Sequence, residues 1–218
     1  MFRSSEETQY QIIDHEHVSG KVFILQSSWQ QKFAVMMRQQ RISALRVPSP
    51  GFGCKAQPLD FIVDLQFLKS VEVYHDGIED ISPLAELSNV EILGLQVSNT
   101  RGLSNWRPPL RVLMARWSKH IAPMLSIDTL EYVNIQNYPF ENLRHFRTPR
   151  LRRLALTSRR LQTLAGVHNL QKLEEVNFYN CPSLGSVTEL DELKTMRTLK
   201  VAACRQISSK PIEKHFPA

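Results

Sequence analysis

The stretch Leu110-Arg-Val-Leu113-Met-Ala115 returns as Leu130-Glu-Tyr-Val133-Asn-Ile135 and again as Leu151-Arg-Arg-Leu154-Ala-Leu156. Each copy reads apolar-x-x-apolar-x-apolar. The last two apolar residues alternate with their neighbours at period two, which predicts a short strand with one buried face. Outward from this stretch, the pattern recurs at Leu68/Val71/Val73 and Val90/Leu93/Leu95 on one side, and at Leu173/Val176/Phe178 and Met196/Leu199/Val201 on the other. Successive starts are 22, 20, 20, 21, 22 and 23 residues apart, a spacing too regular to be accidental. Another apolar residue follows each unit, at Ile78, Leu103, Ile121, Phe140, Leu161, Leu184 and Ile207. Return segments such as Ile78-x-x-Ile81-x-x-Leu84-x-x-Leu87 place apolar residues every third position, which suits a 3₁₀ or short helical turn.

One strand and one return cannot bury their own apolar face, so the units must stack into a continuous core. Over roughly residues 60 to 210 the chain resembles the leucine-rich-repeat family, whose unit reads L-x-x-L-x-L-x-x-(N/C)-x-(x)-L, in its short class of about 20–23 residues. The resemblance implies an α/β fold: a leucine-rich-repeat solenoid with a parallel sheet on the concave side of an arc and short helical or 3₁₀ returns. The Asn/Cys position of that unit falls on Asp76, Ser98, Ser118, Tyr138, Arg159, Cys181 and Cys204. It is strongest at the two cysteines and departs from the family at Tyr138 and Arg159.

Of 26 leucines, 24 follow residue 58, which divides the chain into an N-terminal capping region, 1–58, and a repeat array with its C-terminal cap, 59–218. Stacked repeats need caps to cover the end of the core and the strand edge. Residues 8–14 and 20–26 read as a hairpin around Val18-Ser19-Gly20. A helix capped by Ser27 or Ser28 then runs to about Gln40 and buries Trp29, Phe33, Met36 and Met37. Ile42/Leu45/Val47 gives a further strand, residues 48–58 a Pro/Gly loop, and Ile212 and Phe216 close the far end. The cap is thus expected to be α/β.

Composition narrows the function. The 218 residues are 42% hydrophobic and 22% charged, which is globular composition. The longest apolar runs, residues 22–25 and 33–37, fall far short of the roughly 20 needed to cross a bilayer. Residues 1–7 carry acids where a secretory signal would be basic, so a cytoplasmic protein with no membrane association is expected. Cys54, Cys181 and Cys204 are too scattered for a disulfide framework and are read as reduced thiols. Cys181 and Cys204 occupy equivalent positions of adjacent repeats, and Cys54 is expected in an exposed loop. No phosphate-binding glycine loop, hydrolase elbow or zinc motif is present, so no enzyme, cofactor or metal is expected. His15 and His17, in Asp14-His15-Glu16-His17, are read as a polar hairpin end because no third ligand is placed by sequence.

The formal charge of +6 is concentrated. Residues 142–173 hold seven Arg and one Lys with no acid, leaving 19 basic against 21 acidic residues elsewhere, or −2. Arg144, Arg147, Arg150, Arg152, Arg153, Arg159 and Arg160 therefore form a basic patch suited to bidentate contact with carboxylates or phosphates. On the strands, residues beside the buried positions face away from the core. Tyr74, Gln96, Arg116, Trp117, Tyr132, Asn134, Gln136, Arg153, Glu175 and Tyr179 are the partner-binding candidates, being types that anchor protein interfaces. The expectation is a non-catalytic protein-interaction module docking a folded partner, with an acidic partner surface facing the arginines. It would act as adaptor, regulatory subunit or inhibitor, the bacterial toxin-immunity type included. Binding of nucleic acid or another polyanion through the basic patch is the alternative, which salt sensitivity separates.

Overall fold

The three-residue apolar period of the returns has a direct structural reason. Each apolar N–H bonds to the carbonyl of the apolar residue three before it: Ile62 to Leu59, Leu65 to Ile62 and Leu68 to Leu65, at 2.9 Å throughout. The same chain runs Leu164, Val167, Leu170, Leu173 and again Leu190, Leu193, Met196. Three residues per turn puts all of these side chains on one side, and all are buried. The computed structural model describes residues 9–17, 20–210 and 212–216. Its contacts gather into two units, Met1–Leu103 and Ser104–Ala218. Both have the leucine-rich-repeat architecture of strand and 3₁₀ return that the sequence predicts.

In the first unit, β1 (Tyr10–Asp14) pairs antiparallel with β2 (Lys21–Leu25). Val18 and Ser19 of the expected turn lie outside the described residues. Parallel strands β3 (Ala44–Val47), β4 (Ser70–Val73) and β5 (Ile92–Leu95) follow beside β2. Helix α1 (Gln31–Gln39) buries Phe33, Ala34 and Met37 beneath the hairpin, where Phe23, Tyr10 and Phe33 pack ring against ring. It starts later than the serines suggest, and its N-cap, Gln30, makes no side-chain cap bond. Ser27 Oγ instead donates to the Gln9 carbonyl at 3.2 Å. Trp29, which precedes the helix, stacks on Phe61 with centroids 4.3 Å apart and meets Phe33 of the helix edge-on at 5.7 Å. Within the 48–58 loop, Pro50–Phe52 forms a 3₁₀ turn ended by Gly53 at φ 84°. Cys54, expected to be exposed, is buried, because His75 Nε2 donates to its carbonyl at 3.3 Å while His75 Nδ1 accepts the Gly77 N–H.

In the second unit, β6 (Val112–Arg116), β7 (Tyr132–Gln136), β8 (Arg153–Leu156), β9 (Glu175–Tyr179) and β10 (Thr198–Ala202) are parallel. Two buried rows run across them in register: Leu113, Val133, Leu154, Val176, Leu199; and Ala115, Ile135, Leu156, Phe178, Val201. The antiparallel strand β11 (Ile212–His215) covers β10 with exposed Glu213, Lys214 and His215, charged residues that suit a sheet edge.

The turns after the strands explain the irregular Asn/Cys ladder. In three repeats the buried ladder residue, Tyr138, Cys181 or Cys204, is preceded by a residue with left-handed backbone: Asn137, Asn180 or Ala203, with φ of 59°, 53° and 56°. In the fifth repeat no such residue is inserted, and the ladder position is Ser158 rather than Arg159. Ser158 Oγ donates to the Tyr138 carbonyl at 2.6 Å and accepts the N–H groups of Arg160 and Leu161. Arg159 is therefore exposed. His75 corrects Asp76 in the first repeat for the same reason, being the buried residue that accepts a turn N–H. Tyr138 fills its slot with a ring packed on Phe146 and a hydroxyl donating to the Asn142 carbonyl at 2.8 Å.

Candidate binding surface

Alternation along the strands of the second unit leaves one sheet face open, and parallel pairing sets its residues in rows. Tyr132, Arg153, Glu175 and Thr198 form one row; Met114, Asn134, Ala155, Asn177 and Lys200 form the next. Arg116 lies beside Gln136, and Tyr179 beside Ala202. The Arg153 guanidinium sits over the Tyr132 ring, 4.9 Å from its centroid, so the pair forms one broad cationic and aromatic surface. Tyr179 is 57% exposed although its strand neighbours Phe178 and Val176 are buried. Asn177 and Glu175 are exposed on the same side. The face thus holds Arg116, Tyr132, Asn134, Gln136, Arg153, Glu175 and Tyr179 of the expected residues. Thr198 and Lys200 extend it; the alternation inside Met196/Leu199/Val201 was the signal for them.

Trp117 does not join this face. It follows β6, is half-buried, and packs edge-on against Tyr138 and Phe140 with centroids 6.0 and 5.1 Å away. It belongs to the turn side of its repeat, where the polypeptide leaves the sheet and alternation ends.

Tyr74 and Gln96 lie in the first unit, where the sheet face is built differently. Glu72 is fully buried on β4, and four donors converge on it. Arg46 Nε and Nη2 reach its two oxygens at 3.0 and 3.2 Å, Tyr74 Oη donates at 2.5 Å, and His15 Nε2 lies 3.3 Å away. His15 Nδ1 accepts the His17 N–H, so the ring proton is on Nε2, which also reaches Ser70 Oγ at 2.9 Å. Burial pushes the Glu72 carboxyl pKa up, but the His15 and Tyr74 hydrogen bonds and the Arg46 charge outweigh it and hold the group below its ordinary value. Burial and the Glu72 charge push the Tyr74 phenol far up. Gly94, beside Glu72 on β5, makes room: a Cβ there would lie 2.6 Å from Tyr74 Oη. Tyr74 is therefore a structural member of a buried network, and Gln96 is exposed on the next repeat, its N–H bonded to the Val73 carbonyl at 2.9 Å. His15, read as a polar hairpin end, supplies the cover over Glu72. Among the described residues no group of three His, Cys, Asp or Glu side chains could hold a metal ion.

The arginines of the basic patch have different surroundings. Arg153 is on the sheet face, Arg152 pairs with Glu174 at 2.7 Å, and Arg160 reaches Glu141 at 3.7 Å. Arg150 and Arg159 are exposed. Arg144 and Arg147 line a depression of about 480 Å³ together with Trp117 and Phe140. Two of the seven are thus neutralised by acids of their own or a neighbouring repeat. Cys181 and Cys204 are free and buried, with the Cys181 N–H directed at Cys204 Sγ 3.4 Å away. Burial, then the neighbouring Cys204, pushes the Cys181 thiol up to about 12. No helix among the described residues is long and apolar enough to cross a membrane.

No protein-family model and no curated protein matches the chain. Among solved structures it is similar to an internalin (inlF) from Listeria monocytogenes, at 13% identity and a TM-score of 0.50, over 84% of this chain and 60% of that one. It is also similar to an internalin C2 from the same organism, at 18% identity and a TM-score of 0.40, over 76% of this chain and 64% of that one. The chain therefore matches a little under two thirds of the length of these proteins, and the likeness is one of fold.

Proposed function

For a chain with the leucine-rich-repeat fold, we propose a protein-binding function, in which the open face of the β6–β10 sheet docks a folded partner. The observation that carries this reading is the exposed Tyr179 beside the stacked Tyr132–Arg153 pair. Both tyrosines are held on strands whose other face is locked into the core, so presenting them costs little conformational entropy on binding. Tyr and Arg in such settings dominate interface energies, at roughly 1–2 kcal/mol or more each. Asn134, Asn177 and Gln136 around them offer donors and acceptors. This is recognition without turnover. Occluding or bridging a partner needs only such a face, so adaptor, regulatory-subunit and inhibitor roles, toxin immunity among them, fall within the reading. The three free thiols suit a reducing compartment, in keeping with a cytoplasmic site of action.

The test is capture from cells that express the protein, with nuclease treatment, followed by titration calorimetry with the purified partner at low and high salt. Tyr179→Ala and Arg153→Ala are each expected to weaken binding about tenfold, while Lys172→Ala leaves it unchanged. Wild-type binding that survives high salt supports the proposal. Recovery of nucleic acid alone, released by salt, overturns it.

A further inference from the structure

On the turn side of the second unit, the depression noted above combines an apolar wall with unneutralised charge. Trp117, Phe140 and Leu125 form the wall, and Arg144 and Arg147 supply the charge, among Ala122, Ser126, Asn142 and His145. The backbone beneath the two arginines is fixed by the preceding repeat and by a local turn. The Arg147 N–H bonds to the Leu125 carbonyl at 3.2 Å, and the Arg144 N–H to Asn142 Oδ1 at 3.1 Å. Gly166 packs so close that a Cβ would lie 2.8 Å from the Arg144 nitrogen. No carboxylate lines the depression, and among the described residues neither arginine has an acid within ion-pair distance, unlike Arg152 and Arg160.

We propose that this depression is a second docking site, which takes an acidic segment of a partner protein: one apolar side chain against Trp117 and Phe140, with carboxylates clamped by Arg144 and Arg147. The proposal rests on the reading of the chain as a protein-binding module and adds a site away from the sheet face. Charge complementarity selects the occupant, because two guanidiniums without a counter-charge match paired carboxylates bidentately. About 480 Å³ accommodates one large side chain with its flanking backbone. The rings argue for protein over single-stranded nucleic acid. Phe140 is covered on one face by His145, with centroids 3.5 Å apart, and Trp117 meets Phe140 and Tyr138 at 81° and 80°. They form a packed wall rather than parallel platforms for successive bases.

The probe is a pool of fluorescein-labelled decapeptides carrying a central Leu, Phe or Trp flanked by Asp and Glu. It is compared by fluorescence anisotropy with a pool carrying Lys at the acidic positions and with an oligothymidylate. The acidic pool is expected to bind at least tenfold more tightly than either. The pair Arg144→Glu/Arg147→Glu, both exposed side chains, should abolish that preference, and Tyr179→Ala should leave it intact. Equal binding of the two pools, or tighter binding of the oligothymidylate, overturns the site. Acidic-pool binding lost in Tyr179→Ala but kept in the double arginine variant also overturns it, while leaving the sheet-face proposal standing.

Discussion

Replacing Glu72 by Gln removes the buried negative charge from a cluster that holds Arg46, Tyr74 and His15. Arg46 loses two charge-assisted hydrogen bonds, at 3.0 and 3.2 Å, and Tyr74 one at 2.5 Å. Bonds to a charged group are worth about 1.5–3 kcal/mol each, and the amide oxygen retains one acceptor site for them. Leaving a buried partner unpaired costs about 3–5 kcal/mol. The Arg46 side chain keeps 16% exposure and has Glu16 3.7 Å away, which places the loss at the low end, about 3 kcal/mol. Urea unfolding followed by circular dichroism at pH 7 reads it directly. The pH dependence follows from the lowered carboxyl pKa in the folded state. Its stabilisation is fully present above the unfolded glutamate value of about 4.3 and is lost as pH falls through the lower folded value. The difference between wild type and Glu72→Gln should therefore be constant near neutrality and shrink below about pH 4. Glu72→Gln with Arg46→Met should cost less than the two changes summed. A loss under about 1 kcal/mol at pH 7, or a strictly additive pair, refutes the reasoning.

Three further outcomes follow from local geometry. Gly94→Ala sets a methyl 2.6 Å from Tyr74 Oη, so the ring must swing out; thermal unfolding should show a loss of about 1 kcal/mol, and Tyr74 should titrate nearer an ordinary phenol in an ultraviolet pH titration. Ala203→Asn places at φ 56° the residue type found at Asn137 and Asn180; relief of the left-handed strain should raise stability by about 0.5–1 kcal/mol in the same melts. Cys54, Cys181 and Cys204 are buried, with the Cys54 thiol raised by burial and Cys181 pushed up to about 12; all three should react with a disulfide reagent only as fast as the fold opens.

The strands and returns were legible because their periods are set by hydrogen-bond geometry: two residues in the strand, three in the 3₁₀ chain from Leu59 through Ile62 to Leu68. Open-face positions on β7, β8 and β9 followed from the same alternation. Alternation ends with the strand, and that is where the expectations failed. Trp117, one residue past β6, turned to Tyr138 and Phe140. The fifth ladder position fell on Ser158 because it lies two residues past the last buried strand residue, Leu156, whereas Cys181 lies three past Phe178 with the left-handed Asn180 between. Glu72 alternates like an exposed residue, yet His15, 57 positions earlier, covers it. A contact of that sequence separation leaves no periodic trace. The arginines read as one patch because they are close in sequence; Arg153 is on the sheet face, while Arg144 and Arg147 line the depression beside Trp117.

Hydroxyl-radical footprinting of the protein alone and in complex with its captured partner tests the central claim most directly, because it reports on Tyr132 and Tyr179 without mutating either. Docking on the open sheet face predicts that both tyrosines oxidise much more slowly in the complex. Equal oxidation of both, with and without a saturating partner, contradicts it.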